Sequence, residues 1–255
     1  MKNCKLIVTD LDGTLLRNDK SISDFTLETL EACRRRGILI AFATARPVRG
    51  VVTIREWFEP DILINHNGAV FRYEQEQISL GINREQLDEI VGKVFSAFPD
   101  AEVGIESDDV FYANYDVTKN WPNEPYMMTD AHFSEHDIKY ADKILVSLND
   151  NIEALRTCLL DDCYLEVADG FMGMIMSKAA TKFNAITAIC NSLSIDPSEI
   201  VCFGDDDNDL SMLQGCGIGI AVENANDKVK EIADRICSSN ENDGVAKWIQ
   251  EFILS

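Results

Sequence analysis

Four clusters of polar residues, each following a short apolar run, carry the side chains that could do chemistry. They are Asp10-Leu11-Asp12-Gly13-Thr14, Thr44-Ala45-Arg46, Asn65-His66-Asn67-Gly68 and Gly204-Asp205-Asp206-Asp207-Asn208-Asp209. A fifth feature, Thr181-Lys182, opens an amphipathic stretch. If the apolar runs are strands of one parallel sheet, these clusters meet at the carboxyl ends of the strands, where open sheets bind ligands. Such a site gathers several carboxylates. Carboxylates packed together repel one another unless a cation lies among them, so a hard, oxygen-ligated metal is implied. Mg2+ fits best, because it takes a few carboxylates and keeps waters beside a substrate phosphate. A metal together with Lys182 can neutralise a phosphoryl group and the charge that spreads during its transfer. One carboxylate can then attack phosphorus, and a second acid two residues on can move the proton.

The elements that must position these residues alternate. Leu6–Val8, Ile38–Phe42, Ile62–Ile64, Ile200–Phe203 and Ile218–Val222 have the length of strands buried on both faces. Between and after them, Asp24–Arg36, Lys182–Leu193, Asn226–Ala233 and Val245–Ile253 repeat apolar residues at helical spacing. The pattern predicts an α/β fold with a mostly parallel core sheet and helices on both faces. The middle of the chain differs. Helices are expected at Glu85–Phe98 and Ile152–Leu160. Strands are expected at Glu102–Ile105, Val110–Asn114, Lys143–Leu148, Tyr164–Val167 and Phe171–Met176, joined by turns such as Ser107-Asp108-Asp109 and Asp169-Gly170. The expected organisation is a discontinuous core domain, 1–81 and 181–255, with an α+β domain inserted at 82–180.

Composition narrows the function. The 255 residues carry 44 acidic and 23 basic side chains, a net charge of −21. That field repels nucleic acid, and most of the acidic side chains are solvated surface. No apolar run reaches the roughly 18 residues of a membrane span, and the N-terminal apolar stretch is short and meets a charge at once, unlike a signal peptide. The expected location is cytoplasmic. The expected partner is a small phosphorylated metabolite, with neither nucleic acid nor membrane, and the expected assembly is a monomer or small homo-oligomer. Eight cysteines without Cys-x-x-Cys spacing are expected to be reduced, buried thiols.

The apolar run ending in Asp10-Leu11-Asp12-Gly13-Thr14-Leu15-Leu16 resembles motif I of the haloacid dehalogenase superfamily. Thr44-Ala45-Arg46 resembles its motif II, Lys182 its motif III, and Gly204-Asp205-Asp206-Asp207-Asn208-Asp209-Leu210-Ser211-Met212-Leu213 its motif IV. The insertion of about 100 residues is similar to the cap of the Cof-like, type IIB members, on a Rossmann-like core. The resemblance implies a phosphatase working through an aspartyl phosphate. Asp10 would be nucleophile and metal ligand. Asp12 would be general acid/base, its main-chain carbonyl also on the metal. Asp205 would be the third protein ligand, and Asp209 would orient waters on the metal. Thr44, Ala45, Arg46, Lys182 and Asn208 would hold the phosphoryl group and substrate, and the cap would close over the site.

Ala45 departs from the family, which usually has Gly there. Lys178 competes with Lys182 for motif III, and the family spacing from Thr181 favours Lys182. Plainer readings stand beside these roles. Asp-x-Asp-Gly alone is most often a turn, Thr44 can be a strand-end hydroxyl, and Arg46 a structural ion pair. Asn67-Gly68 can be a hairpin turn before Ala69–Tyr73, and His66 a structural residue. Trp121, Phe171, Met172, Met174 and Met176 are expected mostly to fill the core of the insertion. A phosphomutase shares the aspartyl phosphate. A phospho-accepting signalling domain shares the acid cluster, Thr and Lys, but its chain is shorter and lacks the second Asp. A silent metabolite-binding protein has no need of Asp10, Asp12, Lys182 and Asp205 together.

Overall fold

Runs of apolar residues too short for a helix and too uniformly apolar for a half-exposed strand form a central sheet in the computed structural model, which describes residues 3–255 apart from 75, 120–121, 123–126, 131, 149–151 and 169–171. The chain opens with β1 (Leu6–Thr9), α1 (Asp24–Arg35), β2 (Leu39–Ala43), α2 (Val52–Trp57), β3 (Ile62–Asn65), β4 (Val70–Tyr73) and β5 (Glu76–Ser79). Every residue of β1 and β3 is buried, as two-sided cover by helices requires. Ser23 caps α1 by accepting from the Thr26 amide, and the chain leaves the helix through Gly37 at φ +77°, the left-handed conformation that glycine adopts without a side-chain clash.

The middle of the chain adds β6 (Ile82–Asn83), α3 (Arg84–Ala97), β7 (Glu102–Ser107), β8 (Val110–Ala113), β9 (Met127–Thr129), β10 (Tyr140–Ala141), β11 (Lys143–Ser147), β12 (Cys163–Ala168) and β13 (Met172–Ser177). The chain ends with α4 (Lys182–Leu193), β14 (Ile200–Gly204), α5 (Leu210–Gly215), β15 (Ile218–Val222), α6 (Asp227–Ile232), β16 (Arg235–Cys237) and α7 (Gly244–Phe252).

Two compact units result. The first holds residues up to Arg46, Gly50–Ile78 and Thr181–Ser255; the second holds Pro47–Arg49 and Ser79–Ala180. The sheet of the first unit has the order β16-β15-β14-β1-β2-β3-β4-β5. From β16 to β3 each neighbouring pair is parallel, and β4 runs antiparallel to β3. From β1 the chain moves through α1 to β2 on one side; from β14 it moves through α5 to β15 on the other. Right-handed crossovers in opposite directions put helices on both faces, and accordingly α1 packs on α7 while α4 packs on α5. This is the α/β architecture expected from the sequence.

The second unit has a six-stranded sheet, β12-β13-β11-β7-β8-β9. Its pairs are antiparallel except β8 with β9. Leu87, Ile90 and Val94 of α3 pack with Val103, Ile105, Ile144, Val146 and Ile175 of the strands. Asn83 and Gln86 form a reciprocal capping box at the start of α3.

The segment expected as a helix over Ile152–Leu160 is a 3-10 helix over Ile152–Cys158; at this length its apolar Ile152, Leu155 and Cys158, spaced by three, suit the tighter winding. The short strands β5, β6, β9, β10 and β16 lack the apolar runs that mark the others. Met176 is buried, and Met172 and Met174 are half-buried; Trp121, Phe171 and the Asp169-Gly170 turn lie outside the described residues. All eight cysteines are free thiols, and all but Cys4 are buried. No helix among the described residues is long and apolar enough to cross a membrane.

Candidate active site

The first unit brings the chemical clusters together where its central strands end. β1 runs directly into Asp10, whose amide donates to the Phe203 carbonyl of β14 at 3.0 Å. The parallel register of these two strands therefore sets the Asp10 loop beside the Asp205–Asp209 loop. Gly13 is required at this crossing. It has φ +82°, and a Cβ there would lie 2.3 Å from Asp205 Oδ2, so a side chain would strain the backbone and displace the acid at once.

Thr181 caps α4, accepting from the Asn184 amide at 3.1 Å, and so fixes Lys182 at the first position of the helix. The Lys182 ammonium is completely buried and donates to Asp10 Oδ1 and to Asp209 Oδ1, both at 2.6 Å. Lys178 donates to the Asp161 carbonyl at 2.8 Å. Asp209, also fully buried, turns its other oxygen to the amides of Asp205 and Asp206 at 2.9 and 3.2 Å. It thus ties the loop that carries Asp205 to the lysine. Asp205 accepts a 2.6 Å hydrogen bond from the Thr14 hydroxyl.

One carboxylate oxygen from each of Asp10, Asp205 and Asp209 lies within 4.8 Å of the others. Burial pushes the Asp10 carboxyl above the usual range; Lys182 opposes that, while Asp209 and Asp205 add to it. Asp205 is pushed up to about 6, first by burial, with Thr14 pulling down and Asp209 pushing up. Burial favours the neutral form of Lys182, but Asp10 and Asp209 outweigh it and keep the ammonium charged. One buried cation therefore faces three acids. The donor set is all oxygen, acidic and convergent, which fits a hard divalent cation.

Asp12 points to a different set of partners. Arg46 grips it with two hydrogen bonds of 2.6 Å, and Lys20 adds one of 2.7 Å. Burial alone would raise the Asp12 carboxyl, but the Arg46 and Lys20 hydrogen bonds outweigh it and hold it below its usual range. Thr44 is buried, and its hydroxyl accepts from the Arg46 amide at 3.2 Å. Ala45 is exposed. Asn208 is half-buried and donates to Asn67 Oδ1 at 3.0 Å.

Three partners escaped the sequence reading: Thr14 on Asp205, Lys20 on Asp12 and Asn67 on Asn208. Thr14 and Asn67 stand inside the polar clusters that follow strands, which was the available signal. Lys20 lies eight residues beyond Asp12, and nothing in its local pattern marks it.

The family model described as haloacid dehalogenase-like hydrolase matches residues 7–249. The chain is 27% identical over 270 residues to the 5-amino-6-(5-phospho-D-ribitylamino)uracil phosphatase YitU of Bacillus subtilis, covering 97% of each chain. It is 26% identical over 253 residues to the phosphoglycolate phosphatase of Methanopyrus kandleri, again covering 97% of each. A haloacid dehalogenase-like hydrolase from Bacteroides thetaiotaomicron superposes with a TM-score of 0.82 at 22% identity, covering 98% of this chain and 100% of that one. Sequence motifs, fold and full-length similarity to phosphatases agree, and the chain belongs to the haloacid dehalogenase-like hydrolase family.

Proposed function

We propose that the protein is a Mg2+-dependent phosphatase acting on a small phosphorylated metabolite, with sugar phosphates as the expected class. The observation that carries this reading is the convergence of Asp10, Asp205 and Asp209 around a buried Lys182. An ion pair alone needs one acid per lysine; three acids beside one lysine fit a second cation and a phosphoryl group. The named relatives act on a phosphorylated ribitylaminouracil and on phosphoglycolate, both small phosphorylated molecules.

Asp10, Asp205 and the Asp12 main-chain carbonyl would hold Mg2+, which would supply positive charge against the phosphoryl oxygens. Asp10 attacks phosphorus, forming an aspartyl phosphate as the bond from phosphorus to the leaving oxygen breaks. Asp12 gives its proton to the leaving alkoxide and then takes one from the water that hydrolyses the intermediate. Arg46 and Lys20 hold Asp12 ionised in the present arrangement, which suits its role as base. Lys182 steadies the Asp10 carboxylate, Thr44 and Asn208 hold phosphoryl oxygens, and Asp209 orients the Asp205 loop and waters on the metal.

The test is Mg2+-dependent release of phosphate from an aryl phosphate and from a panel of phosphorylated metabolites. EDTA should abolish turnover and Mg2+ restore it. Asp10→Asn should leave the fold intact and remove hydrolysis by a factor of roughly 10³ or more. Wild-type turnover by that variant would remove Asp10 from its role. Phosphate release without a bisphosphate activator separates this reading from a phosphomutase.

A further inference from the structure

The turn between β3 and β4 is more than a connection. His66, Asn67 and Gly68 have φ of +49°, +57° and +102°. Three consecutive left-handed residues, two of them bearing side chains, are costly, by about 1 kcal/mol or more for each non-glycine. Hydrogen bonds to the site's own loops hold the turn in place. The Asn65 amide group and the His66 main-chain amide both donate to the Arg46 carbonyl, at 3.0 and 3.2 Å. The Asn67 main-chain amide donates to the Thr44 carbonyl at 3.0 Å. Gly68 lies so close to α4 that a Cβ would come within 2.2 Å of the Thr181 carbonyl oxygen. The turn therefore touches the Thr44–Arg46 loop, the start of α4 and, through the Asn67 side chain, Asn208 of the acidic loop.

The Asn67–Asn208 pair is the point where this turn reaches the reacting groups. Asn67 Oδ1 accepts from Asn208 Nδ2, while Asn208 Oδ1 is buried and has no hydrogen-bond partner among the described residues. A buried amide oxygen left without a partner costs roughly 1–3 kcal/mol, a cost that a water, an ion or a ligand arriving beside the acidic loop would remove. Both side chains are carboxamides. Exchanging oxygen for nitrogen in both preserves the bond between them and turns the Asn208 Nδ2 outward as a donor. A carboxylate or an apolar residue at position 67 lacks that freedom.

We propose that Asn67 is a positioning residue for phosphoryl binding: by engaging one end of the Asn208 amide, it aims the other end at a phosphoryl oxygen. This rests on the phosphatase reading, in which Asn208 contacts that group. The Asn67 left-handed backbone is compatible with glycine, so Asn67→Gly removes the side chain without straining the turn. Asn67→Gly, Asn208→Ala and the double variant are compared with the parent for kcat and KM on an aryl phosphate, for the inhibition constant of inorganic phosphate, and for melting temperature.

Asn67→Gly is expected to raise KM and the phosphate inhibition constant roughly five- to tenfold, and Asn208→Ala at least as much. The double variant should lie within about twofold of Asn208→Ala alone, because the two side chains act as one unit. A role confined to holding the turn would instead lower the melting temperature of Asn67→Gly and leave the phosphate constant unchanged. Losses that multiply in the double variant, or a phosphate constant that does not move in Asn67→Gly, overturn the proposal. An inactive parent that binds no phosphate would instead overturn the phosphatase reading beneath it.

Discussion

Each unit buries a group of charged side chains, and the two groups differ in how their acids are arranged. In the first unit, Lys182 lies between Asp10 and Asp209, with Asp205 close by. In the second, Arg49 forms a two-point ion pair with Glu106 at 2.7 and 2.9 Å and reaches Asp109 at 3.5 Å. Asp142, 4% exposed, adds another acid beside Glu106. Burial, and then the Glu106 charge, push the Asp142 carboxyl up to about 7. Burial thus favours a proton on Asp142 in the second unit, as it does on Asp10 in the first. In the first unit, ligand atoms from three carboxylates converge, and among the described residues this is the group of three or more that does so. Acids matched by their own basic partner build structure; three acids whose oxygens converge beside the single ammonium of Lys182 are arranged for a further cation from outside.

Removing the central cation from each group gives the largest expected effects. Lys182→Met leaves Asp10 and Asp209 buried without their partner, and Arg49→Met does the same to Glu106. Each should cost roughly 3–5 kcal/mol in denaturant unfolding, the usual result of breaking one side of a buried pair. The two should then part company. Adding Mg2+ should recover part of the loss in Lys182→Met, by mass action on the folded state, and none in Arg49→Met. Activity should fall at least about 10²-fold in Lys182→Met and stay near the parent value in folded Arg49→Met. Equal recovery by Mg2+ in both variants would erase the distinction between the two groups.

That distinction was only half legible in the sequence. The acid loops were visible because Asp10 and Asp205 each follow a short, wholly apolar run, and a parallel sheet must bring such ends together. Lys182 was recognisable because it follows Thr181 at the start of a helix and matches the family spacing of motif III. Partners set by tertiary approach had no local signature. The Thr14–Asp205 bond spans 191 residues and the Asn67–Asn208 bond 141, so no window along the chain contains both ends. Asn67-Gly68 read as a turn because the composition of a turn and that of a positioning loop are the same; only the left-handed backbone beside Thr181 separates them. The second unit's charged group was invisible for a related reason. Arg49 joins it from a three-residue excursion, Pro47–Arg49, that the sequence pattern does not mark. Strands were read where both faces are buried and missed in short pieces such as β6 and β10, whose pairing rather than composition makes them strands.

The proton held in the second unit gives the next largest effect, with a definite sign. The folded pKa of Asp142 is raised to about 7 from an ordinary 3.8. Between those values the folded state binds more protons than the unfolded state, so stability falls as pH rises through the window. Below about pH 4 both states are protonated and the penalty vanishes; above about pH 7 it is complete. Asp142→Asn keeps the shape and removes the ionisation. It should match the parent at pH 4 and exceed it by roughly 2 kcal/mol or more at pH 8, since each pKa unit corresponds to about 1.4 kcal/mol. Unfolding by denaturant at a series of pH values measures this. An unchanged slope between pH 4 and 7 would mean that Asp142 is not where the second unit keeps its proton.

The smallest effect returns to the first unit and asks how far a single hydroxyl prepares the acids for a cation. Thr14 donates to Asp205 Oδ1 at 2.6 Å, fixing one oxygen and leaving Oδ2 on the side of Gly13. Thr14→Val keeps the shape and removes the donor. Without it the Asp205 carboxylate must be ordered by the arriving cation itself, and a hydrogen bond to a charged group is worth roughly 1.5–3 kcal/mol at most. Part of that is recovered by water at this half-buried carboxylate, so a loss of about 1 kcal/mol, or roughly fivefold in affinity, is expected. The Mg2+ concentration for half-maximal turnover should rise by that factor, while kcat at saturating Mg2+ stays within about twofold. A large fall in kcat that excess Mg2+ cannot correct would place Thr14 on the reacting groups instead of on the preparation of Asp205. The same titration in Glu106→Gln should show no change at all, because in the second unit Glu106 is matched by Arg49 and has no cation left to attract.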